Sequence, residues 1–327
     1  MQSNHNLFEQ AASIKDLKAG DTVLHYFEVK SKEVRKTRSG QDYLDLLLGD
    51  ATGGISAKIW SDAIRKWGND YAPGDIVKVE GRVDSYRDRT QIVVDKIRKA
   101  DVSEVPDLSK IVKTTHHDTN ALMGELLGIA RTLEPPALAG LIEEILEQNE
   151  DRLRTYPAAK MIHHAYQGGL IEHVAAVTRK VMAILHLEPA LNRNIAIAGA
   201  ILHDIGKIRE LRPEASGRTP EGRLIGHVIL GVELVRASAE RKGLGEEPWL
   251  YELEHVLLSH HGDPQFGAPV RPLTREAMLV HFIDNLDSKL KIMEEALESA
   301  DSDGFTQYNK WLEGRAYGGN PSTAEET

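Results

Sequence analysis

His203-Asp204-Ile205-Gly206-Lys207 closes an apolar run, Ile195-Ala-Ile-Ala-Gly-Ala-Ile-Leu202, and its reading decides the architecture of most of the chain. A histidine beside an aspartate at the end of such a run is headed for the interior, where burying either group is costly without a partner. A divalent metal serves both at once, because imidazole nitrogen and carboxylate oxygen are both common ligands. The pair therefore reads as one vertex of a metal cage assembled from several helices.

Working outward, further polar side chains interrupt apolar helical stretches. His173 lies in Gly168-Gly-Leu-Ile-Glu-His-Val-Ala-Ala-Val177, and His227 in Leu224-Ile-Gly-His-Val-Ile-Leu230. His260-His261 ends the run 253–259 and precedes Gly262, a helix C-terminal signal. Asp284 lies in Val280-His-Phe-Ile-Asp-Asn-Leu286. The intervals are 30, 24 and 33 residues from His173 through His203, His227 and His260, then 23 from His261 to Asp284. Each fits one helix and a connection, so five helices can aim ligands at one point of a bundle core. The stretches 141–146, 170–181 and 277–283 carry the matching 3.6-residue apolar spacing. Any one histidine in this set, taken alone, is more often a satisfied core residue than a ligand. It is the ordered set that carries the argument.

Composition bounds the alternatives. The 327 residues are enough for two domains, and 41% hydrophobic with 28% charged residues is ordinary for a globular protein. Cysteine is absent, which removes disulfides and thiolate metal sites and agrees with a cytoplasmic location. No apolar stretch suits a membrane span, and Met1-Gln-Ser-Asn-His-Asn6 lacks the pattern of a secretory signal. The net charge of −10 is uneven: residues 1–100 hold 17 Lys/Arg against 15 Asp/Glu, and residues 101–327 hold 23 against 35. A near-neutral binding half and an acidic, metal-holding half are the expectation.

Residues 21–100 read as β structure. Strands are expected at 23–29, 43–48, 55–60, 76–80 and 91–95, with turn signals at Asp50-Ala-Thr-Gly-Gly54 and Pro73-Gly74-Asp75. Residues 61–68 suit a short helix, and 30–40 a loop or exposed strand end. Five strands with a helix between the third and fourth is the OB-fold order, a small barrel whose outer face often takes single-stranded nucleic acid. The expected layout is a barrel over 1–100, a linker over 101–118, an all-α bundle over 119–317 and a disordered tail over 318–327.

The order His173, His203-Asp204, His227, His260-His261, Asp284 resembles the HD-domain metal-dependent phosphohydrolases. His173, His203, Asp204 and Asp284 match the positions that define that superfamily; His227, His260 and His261 match the added ligands of its two-metal members. The neighbouring segments narrow the likeness. His163-His164-Ala-Tyr-Gln-Gly-Gly-Leu-Ile-Glu-His173, Ile201-Leu-His-Asp-Ile-Gly-Lys207, Leu258-Ser-His-His-Gly262 and Ile283-Asp-Asn-Leu-Asp-Ser-Lys289 resemble the YhaM-type 3′→5′ exoribonucleases, an OB-fold followed by an HD domain. The likeness runs from about residue 17 to 317 and includes Phe305-Thr and Leu312-x-x-Arg315-x-Tyr317, to which the sequence assigns no physical role.

The resemblance implies 3′→5′ hydrolysis of single-stranded RNA, with single-stranded DNA as a second substrate and nucleoside 5′-monophosphates as products. It favours Mn²⁺; mixed N/O ligation also suits Fe²⁺, Co²⁺ or Ni²⁺. Two ions roughly 3.5–4 Å apart can activate water and steady both oxygens of a displacement. Asp204 is the bridging candidate, since a carboxylate spans two ions and an imidazole does not. His173, His203, Asp204 and Asp284 would hold one ion; Asp204, His227, His260 and His261 would hold the other. Lys207, three residues on, is the candidate for stabilising phosphate charge. Asp287 is either support for a ligand or an exposed helix charge. Candidate substrate contacts are His163, His164, the basic run Lys30, Lys32, Arg35, Lys36 and Arg38, and the base-stacking candidate Tyr43, with Trp60 and Tyr86 as further aromatics. For the basic run the ordinary alternative is a solvated loop; for the aromatics it is barrel core. A homo-oligomer is a further expectation without its own sequence signal. The rival reading is an HD-type hydrolase of free or cyclic nucleotides with a regulatory barrel, and beyond it a non-catalytic nucleic-acid-binding module.

Overall fold

A computed structural model describes residues 13–37, 39–86, 89–159, 166–212, 215–297 and 303–319, with only the backbone at 89, 102, 215 and 216. Arg38, His163, His164 and residues 320–327 of the expected tail lie outside the described residues.

Five strands close a barrel: β1 (Thr22–Lys36), β2 (Asp42–Asp50), β3 (Gly53–Ile59), β4 (Ile76–Tyr86) and β5 (Arg89–Lys99). Their order around it is β1-β2-β3-β5-β4, with β3 and β5 parallel and the other pairs antiparallel. Helix α1 (Ser61–Trp67) lies between β3 and β4, as the OB order requires. Period-two alternation supplies the core: Leu44, Leu46 and Leu48 of β2 and Ile55, Ala57 and Ile59 of β3 point inward with Phe27, Val79 and Ile92. The strands run further than their apolar cores. Lys30–Lys36 continues β1, because residues 31–36 pair in register with Leu47 down to Asp42 of β2 after an irregularity at Val29/Ser31. A second irregularity falls at Glu80/Gly81, where a Cβ on Gly81 would lie 2.4 Å from the Val93 carbonyl oxygen.

Residues in the expected linker form 3₁₀ turns, Val102–Glu104 and Leu108–Lys110, and Ile111 is buried against Ile76 and Ala100. Among the described residues ten helices follow: α2 (Thr119–Ala130), α3 (Pro136–Gln148), α4 (Glu150–Thr155), α5 (Gly169–Leu185), α6 (Arg193–Leu202), α7 (Lys207–Glu210), α8 (Pro220–Leu224), α9 (His227–Arg241), α10 (Pro248–Ser259) and α11 (Arg275–Leu297). Local chemistry starts them. Asp118 and Asn192 accept backbone N–H bonds as N-caps of α2 and α6, and Pro136 and Pro248 open α3 and α10. One apolar core unites α2, α3, α5, α6, α9, α10 and α11; α6 is buried along its length from Ile195 to Leu202. Burial all round makes α6 the axial element of the bundle, and it delivers His203 at its C-terminal end. Among the described residues no helix is long and apolar enough to cross a membrane.

Candidate metal centre

The structure brings all seven candidate ligands to one locus. His173 comes from the second turn of α5, His203 and Asp204 from the C-cap of α6 and the turn after it, and His227 from the first residue of α9. His260 and His261 follow α10, and Asp284 sits mid-way along α11. His173, His203, Asp204 and His260 are each no more than 1% exposed.

Asp204 lies at the centre. Its Oδ2 is 3.4 Å from both His173 Nε2 and His203 Nε2; its Oδ1 is 3.5 Å from His227 Nε2 and 3.8 Å from His260 Nε2. Asp284 Oδ1 approaches His173 Nε2 at 3.1 Å and His203 Nε2 at 3.9 Å. The two oxygens of one carboxylate thus face two different histidine sets. His173, His203 and Asp204 form one group with ligand atoms within 4.8 Å of one another, and His227, His260 and His261 form a second.

Several of these atoms are buried without a hydrogen-bond partner: Asp204 Oδ1, His227 Nε2, His260 Nε2 and His261 Nδ1. Four unpartnered polar atoms converging in one interior is costly for a chain that holds nothing there. The residues fit a divalent cation, and the far side of each ring agrees. His203 Nδ1 donates to Ala200 O at 2.8 Å and His260 Nδ1 to Leu257 O at 2.6 Å, using carbonyls at the ends of their own helices. His173 Nδ1 meets Asp287 Oδ2, and His227 Nδ1 meets Glu210 Oε2, both at 2.7 Å. Each of these four tethers leaves Nε2 directed toward the other candidate ligands, where it could serve a cation.

Electrostatics prepares the donors. Burial, followed by the proximity of His261 and His203, holds His260 far below the ordinary imidazole range. Burial and His227 bring His261 down to about 4. Both rings are therefore neutral near pH 7, the form that binds metal. Burial opposes ionisation of Asp204, but Lys207, His203 and His173 outweigh it and keep the carboxyl well below its usual range. Asp284 is lowered likewise, chiefly by its hydrogen bond to His173 against the effect of burial. At His173 burial alone would favour the neutral ring, but bonds to Asp204, Asp284 and Asp287 reverse that and raise it.

Lys207 Nζ lies 2.6 Å from Asp204 Oδ2. The two are not carried on one continuous helix, because α6 stops at Leu202. A tight turn carries Asp204, closed by Lys207 N–H to Asp204 O at 2.9 Å, and α7 begins at Lys207. Gly206 makes this turn compatible with α9, since a Cβ there would lie 1.9 Å from the His227 carbonyl oxygen. Gly262 plays a similar part after His261. Its φ of +79° suits glycine, and a Cβ would overlap the ring of His281, which bonds His260 O at 2.7 Å.

The barrel has its own candidate surface. Tyr43 and Trp60 stand on the outer face of β2 and just past β3, ring centroids 5.2 Å apart. Trp60 is 44% exposed. Asp45 lies between Lys58 and Arg35 beside them, Arg35 at 3.1 Å. Tyr86 is exposed at the end of β4. The rest of the basic run is occupied by its own neighbours. Lys30 pairs with Glu28 at 2.6 Å and Lys36 with Asp42 at 3.7 Å; Lys32 donates to Tyr71 O at 2.7 Å with its ammonium 4.5 Å from the Tyr71 ring. The segment is a strand rather than a solvated loop.

Glu210, Lys180 and Arg218 were not singled out from the sequence. Glu210 sits in the charged run Lys207-Ile-Arg-Glu210 and looks like a surface acid, yet it is 4% exposed against His227. The only sequence signal was its place six residues after Asp204.

Comparison with known proteins follows the same division. A family profile described as HD domain matches residues 170–289, and one described as OB-fold nucleic acid binding domain matches 28–100. The chain is 35% identical over 299 residues to the 3′-5′ exoribonuclease YhaM of Bacillus subtilis, covering 91% of this chain and 95% of that protein. It is 34% identical over 309 residues to the protein of the same name from a Geobacillus species, covering 94% of each.

Proposed function

The chain belongs to the YhaM family of 3′-5′ exoribonucleases and is a metal-dependent RNA exonuclease, and from that premise we propose that it works through two divalent ions bridged by Asp204. The observation that carries the reading is the division of Asp204, Oδ2 toward His173 and His203, Oδ1 toward His227 and His260. His173, His203, Asp204 and Asp284 would hold one ion; Asp204, His227, His260 and His261 would hold the other. All donors are nitrogen or oxygen, which favours Mn²⁺, with Fe²⁺, Co²⁺ and Ni²⁺ as chemically similar occupants.

Such ions would supply Lewis acidity and a reactive water to phosphodiester hydrolysis. The chain's own residues do the rest. The buried cage excludes bulk water and fixes the donors in advance. Lys207, close to Asp204 and 12% exposed, is placed to neutralise charge that develops on a phosphate oxygen. The barrel face of Tyr43 and Trp60 offers stacking to unpaired bases, and Arg35 and Lys58 offer charge to the backbone. Lys30, Lys32 and Lys36 are further candidates on the same strand; like Arg35 and Lys58 they pair within the barrel, so a phosphate would have to exchange with those partners. Stacking and backbone charge do not read the 2′-hydroxyl, so single-stranded DNA is a second substrate of this face. Nucleoside 5′-monophosphates are the expected products, and an RNA substrate together with the absence of cysteine supports a cytoplasmic location.

The test is a 5′-labelled single-stranded oligonucleotide, as RNA and as DNA, incubated with Mn²⁺ while bound metal is counted by elemental analysis. The expected result is a ladder shortening from the 3′ end, release of 5′-monophosphates, and two ions per chain. An intact oligonucleotide beside hydrolysed cyclic dinucleotide would replace this reading with that of a nucleotide hydrolase regulated by its barrel.

A further inference from the structure

The four tethered histidines of the cage are held in two ways. His203 and His260 lean on carbonyls of their own helices, so their orientation comes with the helix. His173 and His227 instead lean on carboxylates from other helices: Asp287 of α11 holds His173 of α5, and Glu210 of α7 holds His227 of α9. Each carboxylate is buried, Asp287 at 5% and Glu210 at 4% exposure, and each is held in turn by a cation. Lys180 Nζ lies 2.5 Å from Asp287 Oδ1, and Arg218 Nε lies 3.0 Å from Glu210 Oε1. There is one such cation–carboxylate–imidazole chain for each side of Asp204.

From this arrangement we infer that Asp287 with Lys180, and Glu210 with Arg218, are positioning residues that set the affinities of the two sides of the metal centre separately. A carboxylate behind an imidazole fixes its tautomer, orients the ring and makes the inner nitrogen a stronger donor. Burial adds a reason for the cations: a buried carboxylate without a counter-charge would be destabilised. Asp287 acts on the side of His173, His203 and Asp284; Glu210 acts on the side of His227, His260 and His261. The inference rests on the two-ion reading, and the experiment separates the two.

Mn²⁺ is titrated into the full chain while free ion is followed by electron paramagnetic resonance. The wild-type protein should show two binding phases; a single ion per chain would remove the two-ion reading itself. Asp287→Ala should weaken one phase by roughly 10–100-fold and leave the other within about twofold, the usual effect of losing such a partner. Glu210→Ala should weaken the other phase by a similar factor. Asp287→Asn, which keeps an acceptor but not the charge, should fall between wild type and alanine, and Lys180→Met should move the same phase as Asp287→Ala by less. A role confined to fold stability would move both phases together. That result, or two intact phases in every variant, overturns the inference. If Asp287→Ala does not fold, Asp287→Asn and Lys180→Met decide it alone: no selective shift in either is also a refutation.

Discussion

The barrel and the bundle each bury an apolar core, but the bundle also buries a cluster of titratable side chains. The centre of the barrel is apolar, Phe27, Leu46, Ile59, Val79 and Ile92 among it, and its chemistry-bearing side chains stand on the outside. The bundle carries His173, His203, Asp204 and His260 into its interior at no more than 1% exposure. A buried polar group has to be answered by a partner, so the bundle's residues are tightly constrained in type. An exposed aromatic or lysine obeys no such constraint. The catalytic half is therefore specified residue by residue and the binding half mainly by the shape and charge of a surface.

Breaking the constrained half should cost most. Asp204→Ala removes the one carboxylate that faces both histidine sets; exonuclease activity should fall by on the order of 10³-fold or more, as when a central member of a catalytic group is removed. Elemental analysis should find at most one ion per chain. Retention of two ions with near-normal turnover would sink the bridging role. Lys207→Ala should lower kcat by roughly 10²-fold with little change in KM, the pattern of a charge felt mainly in the transition state. A rise in KM alone would make Lys207 a ground-state substrate contact. Gly206→Ala forces a methyl against the start of α9. Thermal unfolding should report a loss of roughly 1–3 kcal/mol, the cost of overpacking, and metal should load more weakly on the side that contains His227.

The same contrast governs how much could be read before the structure. His173, His203, Asp204, His227, His260, His261 and Asp284 stood out because each breaks an apolar helical pattern, a local signal that needs no coordinates. The supports Glu210, Lys180 and Arg218 did not, because each stands beside another polar side chain (Arg209, Arg179 and Thr219) and only tertiary packing gives it a role. Asp287 was suspected from its place one turn after Asp284, but its hold on His173 is a contact between two helices 114 residues apart. In the barrel the apolar cores of all five strands were legible. The polar extension of β1 was left between a loop and an exposed strand end, because residues 31–36 owe their conformation to pairing with β2 rather than to alternation. The segment 305–317 also gained its role only in three dimensions. Phe305 bridges to Tyr317 with rings 4.6 Å apart, Arg315 lies 5.2 Å over Phe305, and Lys289 of α11 donates to the Trp311 carbonyl.

The smallest effect should come from the exposed half, and it sharpens the contrast best. Trp60→Ala removes a partly exposed ring that already shares its face with Tyr43. Base stacking is worth about 1–3 kcal/mol per base, and with Tyr43 still present the loss should lie near 1 kcal/mol. That is roughly a fivefold rise in KM for a long single strand. Because none of the candidate metal ligands lies in the barrel, kcat should hold, and a dinucleotide should be cleaved at the wild-type rate. Tyr43→Ala in the same background should raise KM further, since no second ring then remains on that face. If Trp60→Ala instead lowers kcat equally on long and short substrates, the aromatic pair supports the fold or the cleavage step, and the division of labour between the two domains fails at that point.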